Sequence, residues 1–422
     1  MDKFIIKGGH PLRGTIKISG SKNAALPIIA GSLLADEPVT IHNIPRLQDI
    51  YTFNNVLRVV GAKVHFDDQN NVVHIDPTQV SYLEAPYDLV RKMRASFYML
   101  GALVGKHGYA KVSLPGGCAW GPRPVDLHLK GMEAMGITIS LDKGYVIAKA
   151  KETIKGGEFT LNPSSVGATV NLLLASVLRA EEFTIRNAAQ EPDVVQLCNF
   201  LAERGANIDG IGTSTLTIRK TNSLSGGEVY NDPDRIELGT YMIAGAMYPG
   251  NDLTLTGCNA AHLGNFPEQL RETGTEVNID GSIITVKAPE VLQPVSISTA
   301  IYPGFPTDLQ AQWATMLTQA SGESTVTDTV YFDRFSYVPE LVRLGADMHN
   351  EQNTVKIIGK TPLTGASVMS TDLRASVSLV LAAMVSKNTS EVLRVYHLDR
   401  GYESLETKLN AVGAKISRIE AE

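Results

Sequence analysis

Two kinds of helical pattern alternate along the chain. In the first, apolar residues recur at helical spacing on one face and the pattern stops at a glycine. Phe53, Leu57 and Val60 run into Gly61, and Leu405, Leu409 and Val412 run into Gly413. Similar stops fall at Gly136, Gly205, Gly274 and Gly345, so the six recur every 68–75 residues. Alternating residues follow each stop, such as Val64 and Phe66 or Ile137 and Ile139, and predict strands. Several of these strands reach a hairpin signal, as at Asp142-Lys143-Gly144 and Asp280-Gly281. The second kind of helix is apolar on nearly every side, as from Val377 to Val385, and therefore belongs inside a core. Its starts fall at Ser21-Lys22-Asn23, Met93-Arg94, Ser164-Ser165-Val166-Gly167, Asp234-Arg235, Pro306-Thr307-Asp308 and Thr371-Asp372-Leu373-Arg374. Together they predict an α/β chain of six β-α-β-α-β-β repeats, three to a domain. The polar, glycine-bearing stretch from Lys220 to Asp232 is the expected linker.

Length agrees with two domains, since 422 residues exceed one ordinary core. The most apolar early run, Ala24 to Ala35, contains Pro27 and is too short for a membrane span, and no signal-peptide core precedes it. Three scattered cysteines form neither a metal spacing nor a disulfide framework, which fits a reducing cytoplasm. No cofactor or metal is implied. A net charge of −6 argues against a nucleic-acid partner but leaves room for small anions held by a few arginines.

Candidate chemistry gathers in two places. Cys118 lies in Leu114-Pro115-Gly116-Gly117-Cys118, followed by Gly121-Pro122-Arg123, a loop composition that favours an accessible thiol beside a cation. Cys198, in an amphipathic helix, and Cys258, at a strand end, read as structural. Lys22, Arg94, Arg235 and Arg374 put cations in or near the first turns of the apolar helices, where the helix dipole disfavours them. A bound anion reverses that sign, so these starts point to a phosphate or carboxylate site.

With these residues in view, the chain resembles the enolpyruvyl transferase family over its whole length. The match runs from Gly20-Ser21-Lys22-Asn23-Ala24-Ala25-Leu26-Pro27 through the Cys118 loop and Arg123-Pro124-Val125-Asp126-Leu127 to His397-Leu398-Asp399-Arg400-Gly401-Tyr402. The resemblance implies two similar domains, each of three repeats around buried helices, an inside-out α/β barrel. It implies domains of residues 22–229 and 1–21 plus 230–422, with the active site in the cleft between them. The implied reaction moves the enolpyruvyl group of phosphoenolpyruvate to the 3'-hydroxyl of UDP-N-acetylglucosamine and releases phosphate, opening peptidoglycan synthesis. By the same carry-over Cys118 is the general acid and the site of covalent attack by fosfomycin. An ordinary thiol, with a pKa of about 8.5, is mostly protonated at neutral pH and can donate. Lys22, Arg123 and Arg400 hold the phosphate, and Arg334 and Arg374 lie nearer the carboxylate. Asp308 stands at the sugar hydroxyl, although an acid near a helix start is a natural cap and its dipole-lowered pKa weakens it as a base. The UDP-sugar meets Asn23, Arg94, Arg123, Pro124, Val125, Asp126, Leu127, Ser165, Val166, Gly167 and Val330, the amides of Ser165 to Gly167 facing the diphosphate.

The chain departs from the common family pattern at Pro163 and Gln48, where lysines are expected, and at Phe332, where an acid is expected. These changes touch the nucleotide side and loop coupling and suggest a second isoform. The nearest rival, 5-enolpyruvylshikimate-3-phosphate synthase, shares the fold and donor but lacks the loop cysteine. A non-catalytic scaffold that binds the UDP-sugar is the other alternative, and it has no chemical need for Lys22, Cys118, Arg123, Asp308, Arg374 and Arg400 together.

Overall fold

A computed structural model describes residues 2–90, 93–115 and 125–420. The chain divides into two compact units, Gly20–Asp232 and Met1–Ser19 with Pro233–Glu422. Each unit holds three four-stranded sheets of one design. A leading strand lies parallel to the strand after the buried helix, and a hairpin completes the sheet antiparallel to it. The sheet of Glu84–Ala85, Tyr109–Ser113, Tyr145–Lys149 and Thr138–Asp142 has this order. So does that of Ile154–Thr160, Ala180–Arg186, Thr215–Arg219 and Asn207–Asp209. The β-α-β-α-β-β reading therefore describes these two sheets as contiguous stretches of chain.

Three sheets take a strand from a distant part of the chain. Gly227–Tyr230 leads the sheet of Val39–His42 in parallel. The expected linker from Lys220 to Asp232 therefore contains a strand, and the unit boundary falls after it, between Asp232 and Pro233. Arg13–Lys17 lies parallel to Asp252–Thr256, and Lys3–Lys7 lies antiparallel between Thr389–Leu393 and Ile416–Ile419. This last strand stands where a hairpin partner stands in the other five sheets.

The six predicted glycine stops are alike in backbone. Gly61, Gly136, Gly205, Gly274, Gly345 and Gly413 have φ between +87° and +114°, a region that admits glycine without a Cβ penalty. The Lys143-Gly144 turn also has both residues at positive φ, as a two-residue hairpin turn matched to strand twist requires.

The apolar helices are buried on all sides. Every residue from Ala168 to Ser176 in the helix Val166–Ser176 is buried, as are all eight of Gln310–Leu317. Several of their hydroxyls bond back within the helix: Thr240 donates to the Ile236 carbonyl and Thr315 to that of Ala311. Close approach comes from small residues. A Cβ on Gly101 or Gly105 of the helix Tyr98–His107 would lie 2.4 Å from the Asn171 carbonyl oxygen or 2.3 Å from that of Leu174. Pro27 does not break the first of these helices, which runs Lys22–Gly31 through it, carried by burial from Ala24 onward. Cys198 and Cys258 are buried, and burial pushes the Cys198 thiol up to about 12.

Candidate active site

The site residues expected from sequence fall into two groups, one in each unit. In Gly20–Asp232, Ser21 caps the helix Lys22–Gly31, accepting from the Ala24 amide, and its hydroxyl donates to Asp193. The cap fixes Lys22 and Asn23 in the first turn. Lys22 is not isolated there: its ammonium lies 2.9 Å from Asp49, and the two side chains are 13% and 6% exposed. Asp49 sits in the first turn of the helix Gln48–Val59. A nearly buried lysine paired with an acid is held in a fixed direction.

Ser165 caps the helix Val166–Ser176 through the Ala168 amide, and the preceding amides of Val166 and Gly167 have no intrahelical acceptor. A Cβ on Gly167 would lie 3.1 Å from His128 Cε1 and 3.3 Å from its Nε2. His128 is buried, and its Nδ1 lies 2.8 Å from the Asn171 amide nitrogen, while Asn171 Oδ1 accepts from Gly101. That nitrogen can only donate, so Nδ1 is the acceptor and Nε2 carries the proton. Burial, helped by Arg94, lowers the His128 pKa to about 3 and keeps the ring neutral. Arg94 begins the 3-10 turn Arg94–Phe97 that leads into Tyr98–His107. Val125 precedes the helix Asp126–Met135, where exposed Asp126 pairs with Lys130 and Leu127 is half-buried. Cys118, Arg123 and Pro124 lie outside the described residues.

The other unit gathers its polar residues around buried helix starts. Asp234 caps Arg235–Ala246 through the Ile236 and Glu237 amides, and Asp372 caps Leu373–Val385 through those of Arg374 and Ala375. The Arg235 guanidinium lies 5.8 Å from the Tyr302 ring centre. Asp308 lies in the 3-10 turn Thr307–Leu309 that opens the third helix. One Asp308 oxygen accepts from Arg334 at 2.7 Å and the other lies 3.3 Å from Arg374. Both arginines are about 90% buried, whereas the Asp308 side chain is 27% exposed. Burial alone would raise the Asp308 pKa, but Arg374 and Arg334 outweigh it and hold the carboxyl well below the usual range. The two arginines expected near a carboxylate thus already hold one, that of Asp308.

Tyr402 ties these starts together. Its hydroxyl lies 2.8 Å from Thr240 Oγ1 and accepts from Gln312 and Arg374, each at 3.3 Å, so one buried oxygen joins all three inner helices of the unit. Arg400 ends the segment Val395–Arg400, and a Cβ on the next residue, Gly401, would lie 2.4 Å from Leu373 Cδ2. Val330 is half-buried, its amide donating to Asp328 at 2.9 Å. Asp49 and His128 escape motif reading, because an acid and a histidine at these spacings carry no signal of their partners, while Tyr402 stands in the matched stretch without a role assigned to it.

Several known proteins resemble this chain. The family model described as EPSP synthase (3-phosphoshikimate 1-carboxyvinyltransferase) matches residues 6–409. The UDP-N-acetylglucosamine 1-carboxyvinyltransferase of Chloroherpeton thalassium is 50% identical over 420 residues, covering 99% of this chain and 97% of that protein. The protein of the same name from Desulfosudis oleivorans is 47% identical over 419 residues, covering 99% and 100%. Among solved structures, the enolpyruvyl transferase NikO from Streptomyces tendae is similar at a TM-score of 0.90 and 27% identity, covering 100% of this chain and 99% of that one. An EPSP synthase from Acinetobacter baumannii, at 0.77 and 17% identity over the full length of both chains, bears on the fold alone.

Proposed function

The chain belongs to the EPSP synthase family of carboxyvinyltransferases, and from that premise we propose that its acceptor is UDP-N-acetylglucosamine and its donor phosphoenolpyruvate. It transfers the enolpyruvyl group to the sugar 3'-hydroxyl and releases phosphate, the committed step of peptidoglycan synthesis. The observation that carries this choice of acceptor is identity near 50% along 99% of the chain to relatives named for that reaction. No helix among the described residues is long and apolar enough to cross a membrane, and a cytoplasmic site of action accords with sugar-nucleotide substrates.

The chemistry divides among the residues as follows. The 3'-oxygen adds to C2 of the enol ester while a proton reaches C3, giving a tetrahedral ketal; loss of phosphate and of a C3 proton restores the double bond. Cys118 is the acid for C3 and the nucleophile that opens the fosfomycin epoxide. Lys22, Arg123 and Arg400 hold the phosphate, and Asn23, Arg94, Arg123 to Leu127, Ser165 to Gly167 and Val330 hold the UDP-sugar. Asn23 and Lys22 share a capped first turn, and the Val166 and Gly167 amides are the natural donors to a diphosphate. The inside-out arrangement of each unit, helices within and sheets without, follows the same family reading.

Arg334 and Arg374 receive the donor carboxylate, which must displace Asp308 from them. Held by both guanidinium groups, Asp308 is a weak base. Once a substrate carboxylate takes its place, the acid loses its two closest cations, its proton affinity rises and it is freed for the sugar hydroxyl. Base strength is thereby tied to donor binding.

The test is phosphate release by the purified protein. Release that needs both phosphoenolpyruvate and UDP-N-acetylglucosamine supports the reading, and release with shikimate 3-phosphate instead transfers the chain to the rival activity. Absence of release with either acceptor favours a binding scaffold.

A further inference from the structure

Asp328 is fully buried, and its carboxylate accepts hydrogen bonds from a set of neutral donors. One carboxylate oxygen accepts from Thr299 Oγ1 at 2.7 Å and from the amides of Val330 at 2.9 Å and Tyr331 at 2.8 Å. The other accepts from Thr307 Oγ1 at 2.6 Å and, more weakly, from Gln310 Nε2 at 3.4 Å. Its own backbone is held on both sides by Asn353, through a 2.8 Å bond from the Asp328 amide and a 3.1 Å bond to its carbonyl. A carboxylate buried away from water is costly unless such a set of donors satisfies it.

What it places is the turn that carries Asp308. Arg334 Nη1 donates to Thr307 Oγ1 at 3.1 Å, and Thr307 donates onward to Asp328. Gln310 clamps the same region, donating to the Arg334 carbonyl at 2.9 Å and accepting from Tyr337 at 2.6 Å. The chain Arg334 to Thr307 to Asp328 runs one way only. A guanidinium can only donate, so the Thr307 hydroxyl must accept from it and donate further, and the relay must end on a group that only accepts. A carboxylate oxygen meets that demand. An asparagine does not: with its amide nitrogen toward Thr307 a donor meets a donor, and with the amide turned over it meets Thr299 and two backbone N–H groups.

We propose that Asp328 is a positioning residue for the transfer reaction, setting the Asp308 carboxylate, the Arg334 guanidinium and the Val330 backbone in one register through Thr307. The proposal rests on the function given above. Displacement of reacting groups by about 1 Å costs on the order of a hundredfold in rate, so loss of the relay lowers kcat by about tenfold or more.

The experiment compares Asp328→Asn, Thr307→Val, their double variant and Thr307→Ser in the phosphate-release assay, with thermal unfolding of each. The expected result is a kcat loss of about tenfold or more in both single variants. The double variant should lose little beyond either single variant, because both break one relay. Thr307→Ser, which keeps the hydroxyl, should retain kcat within about threefold of wild type. If Asp328→Asn does not fold, the Thr307 pair carries the test alone. A Thr307→Val protein with wild-type kcat, or a serine variant as impaired as the valine variant, overturns the proposal. Wild-type protein inactive with the UDP-sugar instead overturns the functional reading and is told apart by that control.

Discussion

Removing Asp308 should slow the reaction and tighten the donor at once. In Asp308→Ala the Arg334 and Arg374 guanidinium groups lose the carboxylate that occupies them at 2.7 and 3.3 Å. At these distances each contact has a gross attraction of about 5–6 kcal/mol at an effective dielectric near 20, most of it offset by desolvation. Exposed pairs net less than about 1 kcal/mol, and breaking a buried one costs about 3–5. With Asp308 27% exposed and its partners near 10%, about 1–2 kcal/mol is a fair net value for the contacts that phosphoenolpyruvate must displace. At 1.4 kcal/mol per tenfold, the variant should bind phosphoenolpyruvate about 5- to 30-fold more tightly. Its kcat should fall by about 10²- to 10⁴-fold through loss of the base. Steady-state phosphate release measures both, because KM approaches Kd once chemistry is slow. A KM that rises together with the kcat loss would refute the reasoning, since the arginines would then not be exchanging one carboxylate for another.

Cys118→Ser should nearly abolish turnover without unfolding the protein, because a hydroxyl is a far weaker acid, whereas Cys118→Asp should keep substantial activity; intact mass should show one fosfomycin adduct in wild type and none in either variant. Gly105→Ala drives a Cβ to 2.3 Å from the Leu174 carbonyl, so despite better helix propensity it should cost about 1–3 kcal/mol, read as a lower urea midpoint. Burial and Arg94 hold the folded His128 pKa at about 3, below the ordinary 6.5 of the unfolded chain. The unfolded state therefore binds the extra proton first, and this contribution to stability is intact above about pH 6.5 and is lost as pH falls toward 3, by up to about 4 kcal/mol. His128→Leu should flatten that part of the urea midpoint against pH, and an unchanged profile would exclude His128 as its source.

The repeat was legible because its punctuation is local. A glycine at φ near +100° must follow each outer helix, and no neighbour elsewhere in the chain is needed to see it. The inner helix starts were legible for the same reason, since Ser21, Ser165, Asp234 and Asp372 are caps within three residues of the amides they serve. Strand partnership was not. Gly227–Tyr230 reads as linker because four residues carry no mark of the strand they join, and only the pairing with Val39–His42 makes them part of a sheet. In the site, charge could be read but its neutralisation could not. Lys22 and Asp49 are 27 positions apart, and Arg334 and Asp308 are 26 apart, distances over which periodicity says nothing. Asp328 is an ordinary acid in the sequence, and its importance arises only when Thr299, Thr307 and two amides converge on it.

The strand Lys3–Lys7 is synthesised before either of its neighbours, Thr389–Leu393 and Ile416–Ile419. Gly20–Asp232 is a single uninterrupted stretch whose three sheets need nothing made later, so it can finish while synthesis continues. Lys3–Lys7 instead waits, its backbone groups unmatched, until those two partners have been made. Such a delay makes this short segment the part of the nascent chain most in need of protection from mispairing.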